Sequence, residues 1–177
     1  MIRIGLISDT HNYFDPKLVE FFKDVDEIWH AGDIGSMGLI EQLQQIQPNI
    51  KAVYGNIDGG VLRQEFKEHL IWEVEGFKIW MTHIGGYPGN YSPAVRSMLP
   101  SVQPNIFICG HSHILKVMRD EKLNNMIVFN PGAAGIHGMH KIKTVLRFQL
   151  HEKKVLNLEV IELGKRGKID NNNEEMA

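Results

Sequence analysis

Asn105-Ile106-Phe107-Ile108-Cys109-Gly110-His111-Ser112-His113 is an apolar run that stops at a glycine and then presents two imidazoles one residue apart. The run predicts a buried strand. The glycine lets the backbone turn at its end, and the two rings can then aim nitrogens at one small volume, which is how a metal site is built. A His-x-His pair also occurs on exposed strands, so the pair alone decides little. What decides is that four other apolar runs end in the same way.

Working outward from that stretch, residues 2–7 are apolar nearly throughout, as in a strand covered on both faces, and they stop at Ser8-Asp9-Thr10-His11. Asp9 and His11 lie two apart, so an extended chain would point both to one side. Asp15-Pro16 reads as an N-cap and first helical residue, opening an amphipathic helix with Leu18, Val19, Phe21 and Phe22 inward. A second short strand over residues 27–31 runs into Gly32-Asp33, and a helix over 36–46 follows. A third strand, 50–54, ends at Gly55-Asn56-Ile57-Asp58-Gly59-Gly60, where the glycines imply a tight turn. Strand, helix, strand, helix, strand predicts a parallel sheet with right-handed crossovers and a ligand crevice at the carboxyl ends of its strands.

Beyond Gly60 the pattern changes. Residues 70–74 and 77–81 flank Glu75-Gly76 as a hairpin whose second strand delivers Thr82-His83. Residues 84–91 carry Gly85, Gly86, Pro88 and Gly89 and are expected to form a loop, after which Ser92-Pro93 caps a helix to about Leu99. Strands follow over 115–118, 126–129, 144–150 and 155–161, with a turn at Asn130-Pro131-Gly132. Such a chain suggests two sheets packed face to face with helices outside, in one domain over 1–163. From Gly164 to Ala177 there is no apolar periodicity, and a disordered tail is expected.

Composition bounds the function classes. With 177 residues, 43% of them hydrophobic, the chain can bury one sizeable core. A net charge of -2 gives no bulk attraction to long nucleic acid or anionic lipid, so phosphate recognition must be local. The single Cys109 excludes an intrachain disulfide and is expected to be a small core hydrophobe. The start MIRIGLISDTH lacks the features of a signal peptide, and no apolar run approaches the ~20 residues of a membrane span, so no membrane role and a cytoplasmic location are expected.

Collected, the strand-end residues are Asp9, His11, Asp33, Asn56, His83, His111 and His113. Two carboxylates, one amide and four imidazoles exceed what one tetrahedral zinc takes, and they suit two adjacent divalent ions that share a carboxylate. Manganese is the first expectation, with Fe, Zn, Ni and Co compatible with the same donors. Two ions about 3.5–4 Å apart clamp a phosphate, which points to in-line hydrolysis at phosphorus without a covalent nucleophile. Ser8 and Ser112 lack the flanking turn of a nucleophile elbow.

The order Asp9-x-His11, Gly32-Asp33, Gly55-Asn56-x-Asp58, Thr82-His83, Gly110-His111-x-His113 resembles the calcineurin-like metallophosphoesterase superfamily, in particular its small prokaryotic phosphodiesterase branch, over residues 1–162. The resemblance implies an α+β fold of four layers, two mixed β-sheets flanked by helices. It also implies that Asp9, His11 and His113 hold a first metal, that Asn56, His83 and His111 hold a second, and that Asp33 bridges them. The family's nucleophile is a hydroxide lying between the ions, and Asn56 is expected to touch a substrate phosphate oxygen. Two departures stand out. Ile57 follows Asn56 where phosphatases of this superfamily place a proton-donating His, which leaves His11, water or an easily departing leaving group to meet that need. Ile84-Gly85-Gly86 follows His83 where many relatives have glycine directly, which is expected to reshape the pocket mouth.

Other polar residues carry two readings each. Asp58 is either a carboxylate that orients a ligand imidazole or part of an Asp-Gly turn. His30 is a buried structural residue before it is a substrate contact, and His137 and His140 are loop or surface residues before they are substrate contacts. His69 and His151 read as surface positions, while Tyr87 and Tyr91 could wall a nucleoside or pack the loop onto the core. The functional expectation is a phosphodiesterase acting on a small phosphoester, with a nucleotide and a homo-oligomer among the candidates for partners. A phosphomonoesterase on the same site and a non-catalytic scaffold that keeps its metal residues are the alternatives.

Overall fold

Each of the first three apolar runs forms a strand, and the amphipathic stretches between them cover one face of the sheet they build. The computed structural model describes residues 1–167. In chain order the elements are β1 (Ile2–Ile7), α1 (Lys17–Phe22), β2 (Glu27–His30), α2 (Met37–Ile46), β3 (Ile50–Ala52), α3 (Val61–Glu65), β4 (His69–Val74) and β5 (Phe77–Thr82). They continue with β6 (Gly86–Tyr87), β7 (Asn90–Tyr91), α4 (Pro93–Val102), β8 (Ile106–Ile108), β9 (Leu115–Asp120), β10 (Met126–Pro131), β11 (Ile142–His151) and β12 (Lys154–Lys165).

Two five-stranded sheets result, in the orders β12-β11-β1-β2-β3 and β4-β5-β8-β10-β9. β1, β2 and β3 are parallel, with Leu6 opposite Trp29 and His30 opposite Ala52, as the alternating first part of the chain predicts. β11 adds antiparallel to the other side of β1, so both sheets are mixed. In the second sheet β5, β8 and β10 are parallel, and the β4–β5 hairpin turns at Glu75-Gly76 as expected. The carboxyl ends of both parallel sets open on one crevice.

Strand alternation explains why these runs are apolar on both faces. Ile4, Leu6 and Trp29 face Ile79, Met81, Ile106, Ile108 and Phe129 between the sheets. Their neighbours Ile7 and Ile28 turn outward under Leu18, Phe22 and Leu43 of the helices, while Trp80, Phe107 and Val128 turn outward under Val95, Leu99 and Val102 of α4. The two faces alternate residue by residue. Lys143 of β11 is buried with Asp15, its ammonium 2.6 Å from the carboxylate and 3.3 Å from the Tyr13 hydroxyl, which fixes the turn before α1 against the sheet. Among the described residues no helix is long and apolar enough to cross a membrane.

Several local expectations are corrected. Val19 is 53% exposed, because α1 is a short helix that turns only Leu18 and Phe22 fully onto the sheet. Asp15 Oδ1 accepts the Lys17 N–H at 3.0 Å, but Pro16 stands at the cap position and the other Asp15 oxygen is committed to Lys143. The expected loop 84–91 contains the β6–β7 ribbon, α4 continues through Pro100 to Val102, and the segment after Gly60 forms α3. β12 runs past Ile161 to Lys165, which pairs with Ile142, while residues 168–177 of the expected tail lie outside the described part of the chain.

Candidate metal centre

The seven strand-end residues converge on the crevice. Asp9 and His11 follow β1, Asp33 follows β2, Asn56 follows β3, His83 follows β5, and His111 and His113 follow β8. Strand alternation is not what aims them: Asp9, His11, Asp33, His111 and His113 all have positive φ, between 46° and 66°. The chain leaves the extended state at the strand ends and turns through left-handed residues, consecutive at His11-Asn12 and Gly32-Asp33, and each non-glycine one costs about 1 kcal/mol or more. Cross-loop hydrogen bonds hold those turns. Asp9 N–H donates to Gly32 O, His11 N–H to Asp33 O, and Gly110 N–H to His83 O, each at 3.0 Å.

The polar atoms form two groups. Asp9, His11 and His113 make one, and Asp33, His83 and His111 the other, with one donor atom from each residue lying within 4.8 Å of the rest of its group. Asp33 faces both, with Oδ1 at 3.2 Å from His83 Nε2 and Oδ2 at 3.4 Å from His11 Nε2. Asp9 Oδ1 lies 3.1 Å from His113 Nε2, and Asn56 Oδ1 lies 3.1 Å from His83 Nε2. Within the seven, His11 pairs with His113 and His83 with His111, their ring centroids 5.6 and 5.3 Å apart.

These residues fit divalent ions on two observations. Asp9 Oδ1 and His11 Nε2 are buried polar atoms with no hydrogen-bond partner among the described residues, although Asp9 Oδ1 lies 3.1 Å from His113 Nε2 and His11 Nε2 lies 3.4 Å from Asp33 Oδ2. An orphaned carboxylate oxygen and an orphaned ring nitrogen are costly unless something else binds them. The donor chemistry, carboxylate, amide and imidazole with no thiolate, suits Mn, Fe, Zn, Ni or Co.

Neighbouring groups fix the donors in place. Asp9 Oδ2 accepts the Ser8 hydroxyl at 2.6 Å and the His111 N–H at 3.1 Å, leaving Oδ1 for the crevice. His83 Nδ1–H donates to Ala31 O at 2.8 Å, which presents Nε2 to the crevice. Burial opposes a charge on His83 but is outweighed by Asp33 and Asp9, so its pKa is raised; Asp33 is lowered, since its burial is outweighed by His83, the Ile57 N–H and His11. A divalent ion would displace the proton that this carboxylate pair attracts. His11 is lowered, chiefly by burial. Gly55 and Gly110 are required for close approach: a Cβ on Gly55 would lie 2.1 Å from Asp33 Oδ1, and one on Gly110 would lie 2.0 Å from Ser8 Oγ.

The remaining candidates sort as follows. His30 is fully buried, and burial pushes it down to about 4. Its Nδ1 accepts the Gly32 N–H at 3.1 Å, so Nε2–H donates to Thr10 Oγ1 at 2.9 Å, tying the residue between Asp9 and His11 to the one before Asp33. Asp58 does not orient an imidazole. It is buried, and its carboxylate accepts the N–H groups of Ile34, Gly35 and Gly55 at 3.0, 2.8 and 2.8 Å, bracing the backbone beside Asp33 and Asn56. His137 is exposed, as a loop residue should be, yet its ring centroid lies 5.6 Å from that of His11. His140 lies 5.2 Å from His113, bonds Gly135 O at 2.9 Å, and is lowered by burial. Their substrate-contact reading, set behind the loop reading in the sequence, gains from the docking of this loop through backbone bonds from Ala134 to Ser8 and from Gly135 to Asp9. Tyr91 packs on Phe107 and donates to Asp120 at 2.8 Å, and Tyr87 lies under the Lys116 ammonium, so the loop tyrosines anchor structure. Cys109 is buried as expected, and burial pushes its thiol up to about 12.

The calcineurin-like phosphoesterase superfamily domain matches residues 2–153. The chain belongs to this family. Its members are metal-dependent phosphoesterases, which agrees with the grouping of carboxylates and imidazoles at the crevice. A protein named as a phosphodiesterase from Methanocaldococcus jannaschii is 30% identical over 146 residues, covering 74% of this chain and 83% of that one. A probable metallophosphoesterase from Methanothermobacter thermautotrophicus is 29% identical over 137 residues, covering 73% and 76%. Among solved structures, a single mutant of Vps29 from Entamoeba histolytica superposes with a TM-score of 0.72 at 14% identity, covering 91% of this chain and 99% of that one, a likeness of fold.

Two features of this phosphoesterase domain escape the sequence reading. Arg63 of α3 and Tyr54, with the guanidinium 4.6 Å above the ring, line a cavity of about 440 Å³ that also touches Asn56, His83, Ile84 and His69. His69, read as a surface residue, is a wall of that cavity. The Gly59-Gly60 pair that signals a turn hides the start of α3 behind it.

Proposed function

We propose that the chain is a phosphodiesterase whose centre holds two divalent ions, one on Asp9, His11 and His113 and one on Asn56, His83 and His111, with Asp33 between them. The observation that carries this reading is the placing of Asp33, one oxygen toward each group of donors. Ions held there supply Lewis acidity to a phosphoryl oxygen and lower the pKa of a bound water toward neutrality, and manganese is the ion we expect first. The residues of the chain position the substrate. Asn56, held near His83 Nε2, offers its amide to a phosphate oxygen, and the N–H of Ile57 keeps Asp33 Oδ1 oriented at 3.0 Å. Ile57 has no ionisable proton to donate and is 46% exposed, which favours a substrate whose leaving group departs easily, over a phosphomonoester of an ordinary alcohol. The named phosphodiesterase relative supports the same preference.

The experiment is turnover of bis(4-nitrophenyl) phosphate and of 4-nitrophenyl phosphate with added Mn²⁺, by the native chain and by Asp33→Asn. Diester hydrolysis that Asp33→Asn abolishes is the expected result. A preference for the monoester would transfer the site to the phosphomonoesterase reading, and equal background rates on both substrates would leave the fold as a scaffold.

A further inference from the structure

We propose that the cavity beside Asn56 and His83 selects a phosphoanhydride, a P–O–P linkage, with Arg63 holding the phosphate that leaves; this rests on the phosphoesterase reading above. Three observations converge. The first is position: the cavity of about 440 Å³ is walled on one side by Asn56 and His83 and on the other by Arg63, Tyr54 and His69, so a group attached to a phosphoryl at the centre enters it.

The second is the state of Arg63. Its Nε–H donates to Asp58 O at 2.6 Å, and its guanidinium carbon lies 4.6 Å over the Tyr54 ring. The fork is therefore oriented by the same residue that braces Gly55, while its terminal nitrogens are joined to no carboxylate among the described residues. Glu68 is the one acid on the cavity wall, and its Oε2 accepts the Tyr54 hydroxyl at 3.2 Å. His69 adds a second donor: its Nδ1 accepts Trp80 Nε1–H at 3.4 Å, so it offers Nε2–H. A guanidinium fork with an oriented Nε and open terminal nitrogens matches a phosphate.

The third is Ile57, an exposed side chain without an ionisable group that follows Asn56 where phosphatases of the superfamily place a proton-donating histidine. In hydrolysis of a P–O–P linkage, the oxygen of a water bonds to the attacked phosphorus and the bridging P–O bond breaks. The bridging oxygen keeps the electron pair and departs on the second phosphate, and the proton of the water passes to solvent. A phosphate leaving group ionises near pH 6, about the second pKa of a phosphomonoester, and needs no acid, whereas an alkoxide does. A carboxylate on the leaving arm would engage Arg63 but would still depart as an alcohol, so the two features together select the anhydride.

The test compares diadenosine 5′,5′-diphosphate with bis(4-nitrophenyl) phosphate on the Mn²⁺-loaded full chain, for the native protein, Arg63→Gln and Arg63→Lys. Arg63→Gln is expected to lower kcat/KM for the anhydride about 30-fold while changing the aryl diester less than about 3-fold. Arg63→Lys, which loses the same bond to Asp58 but keeps the charge, recovers part of the anhydride activity and so separates recognition from a structural effect. Calorimetry gives a readout free of turnover: adenosine 5′-(α,β-methylene)diphosphate should bind Arg63→Gln about 10-fold more weakly, with inorganic phosphate binding unchanged. A parallel fall on both substrates, no fall, or a native protein that cleaves the diester but not the anhydride overturns the proposal alone. A native protein that cleaves neither overturns the phosphoesterase reading and this proposal with it.

Discussion

Replacing Asp58 by Asn removes one charge and one acceptor without changing side-chain size, at a residue that is 2% exposed. The native carboxylate accepts three backbone N–H groups, those of Ile34 and Gly55 on Oδ2 and that of Gly35 on Oδ1. An amide turned to keep its oxygen on the first two retains both bonds but loses charge assistance, which costs about 1 kcal/mol each. Its NH2 group then faces the N–H of Gly35, an exposed residue whose donor turns to water, so the third bond is lost for a further cost of about 0.5–1.5 kcal/mol. The sum is about 2.5–3.5 kcal/mol of a domain stability on the order of 5–15 kcal/mol. Because Ile34 follows Asp33 and Gly55 precedes Asn56, the same change should loosen both donors and weaken metal binding about 10-fold or more. Urea unfolding of the metal-free protein reads the first effect and Mn²⁺ titration the second. A loss below about 1 kcal/mol with unchanged metal affinity would show that the three bonds do not brace the loops, and the reasoning would be wrong.

Other outcomes follow from the same geometry. Gly110→Ala places a Cβ 2.0 Å from Ser8 Oγ and 2.7 Å from Asp9 Oδ2, so metal titration should show affinity falling at least about 10-fold; unchanged affinity would mean the turn relaxes freely. His30 stays neutral in the folded state down to about 4, whereas an unfolded histidine takes its proton near 6.5, so the unfolded chain binds more protons between those values and stability drops as pH falls. From pH 7 to pH 5 the metal-free native protein should lose about 2 kcal/mol more than His30→Gln, measured by urea unfolding; equal losses would contradict it. Chelation should lower Tm by about 5–10 °C relative to protein at a metal concentration some hundredfold above Kd, read by calorimetry, and a Tm that ignores chelator would argue against ions at the orphaned Asp9 and His11 atoms.

The gathering of the seven strand-end residues was legible because each follows an apolar run and a strand can only end where its polar residues begin. That logic reaches Asp9, Asp33, Asn56, His83 and His111 directly, and their gathering depends on nothing more than parallel strands sharing an end. The pairing of β1 with β11 was not legible, since Leu6 meets Leu146 across 140 residues and no local pattern encodes so distant a partner. Asp58 was read only in part for a related reason: the turn reading reaches Gly55, but its other two partners belong to a loop that does not adjoin it in sequence. For His137 and His140 the sequence left loop position ahead of substrate contact, because their loop is brought in by backbone bonds, which any side chain can make. Val19 failed on geometry, since six residues of helix are too few for a stripe as wide as the one its apolar spacing implies.

Five of the seven donors occupy backbone conformations that most amino acids avoid, and Asp, Asn and His are among the few that tolerate them. Glycine is the other residue at home there. Exchanging Asp33 or His113 for glycine would therefore delete a donor yet keep the local path of the chain, so in this architecture the scaffold can outlive its chemistry: binding can be switched off one position at a time while the surrounding loops keep their course.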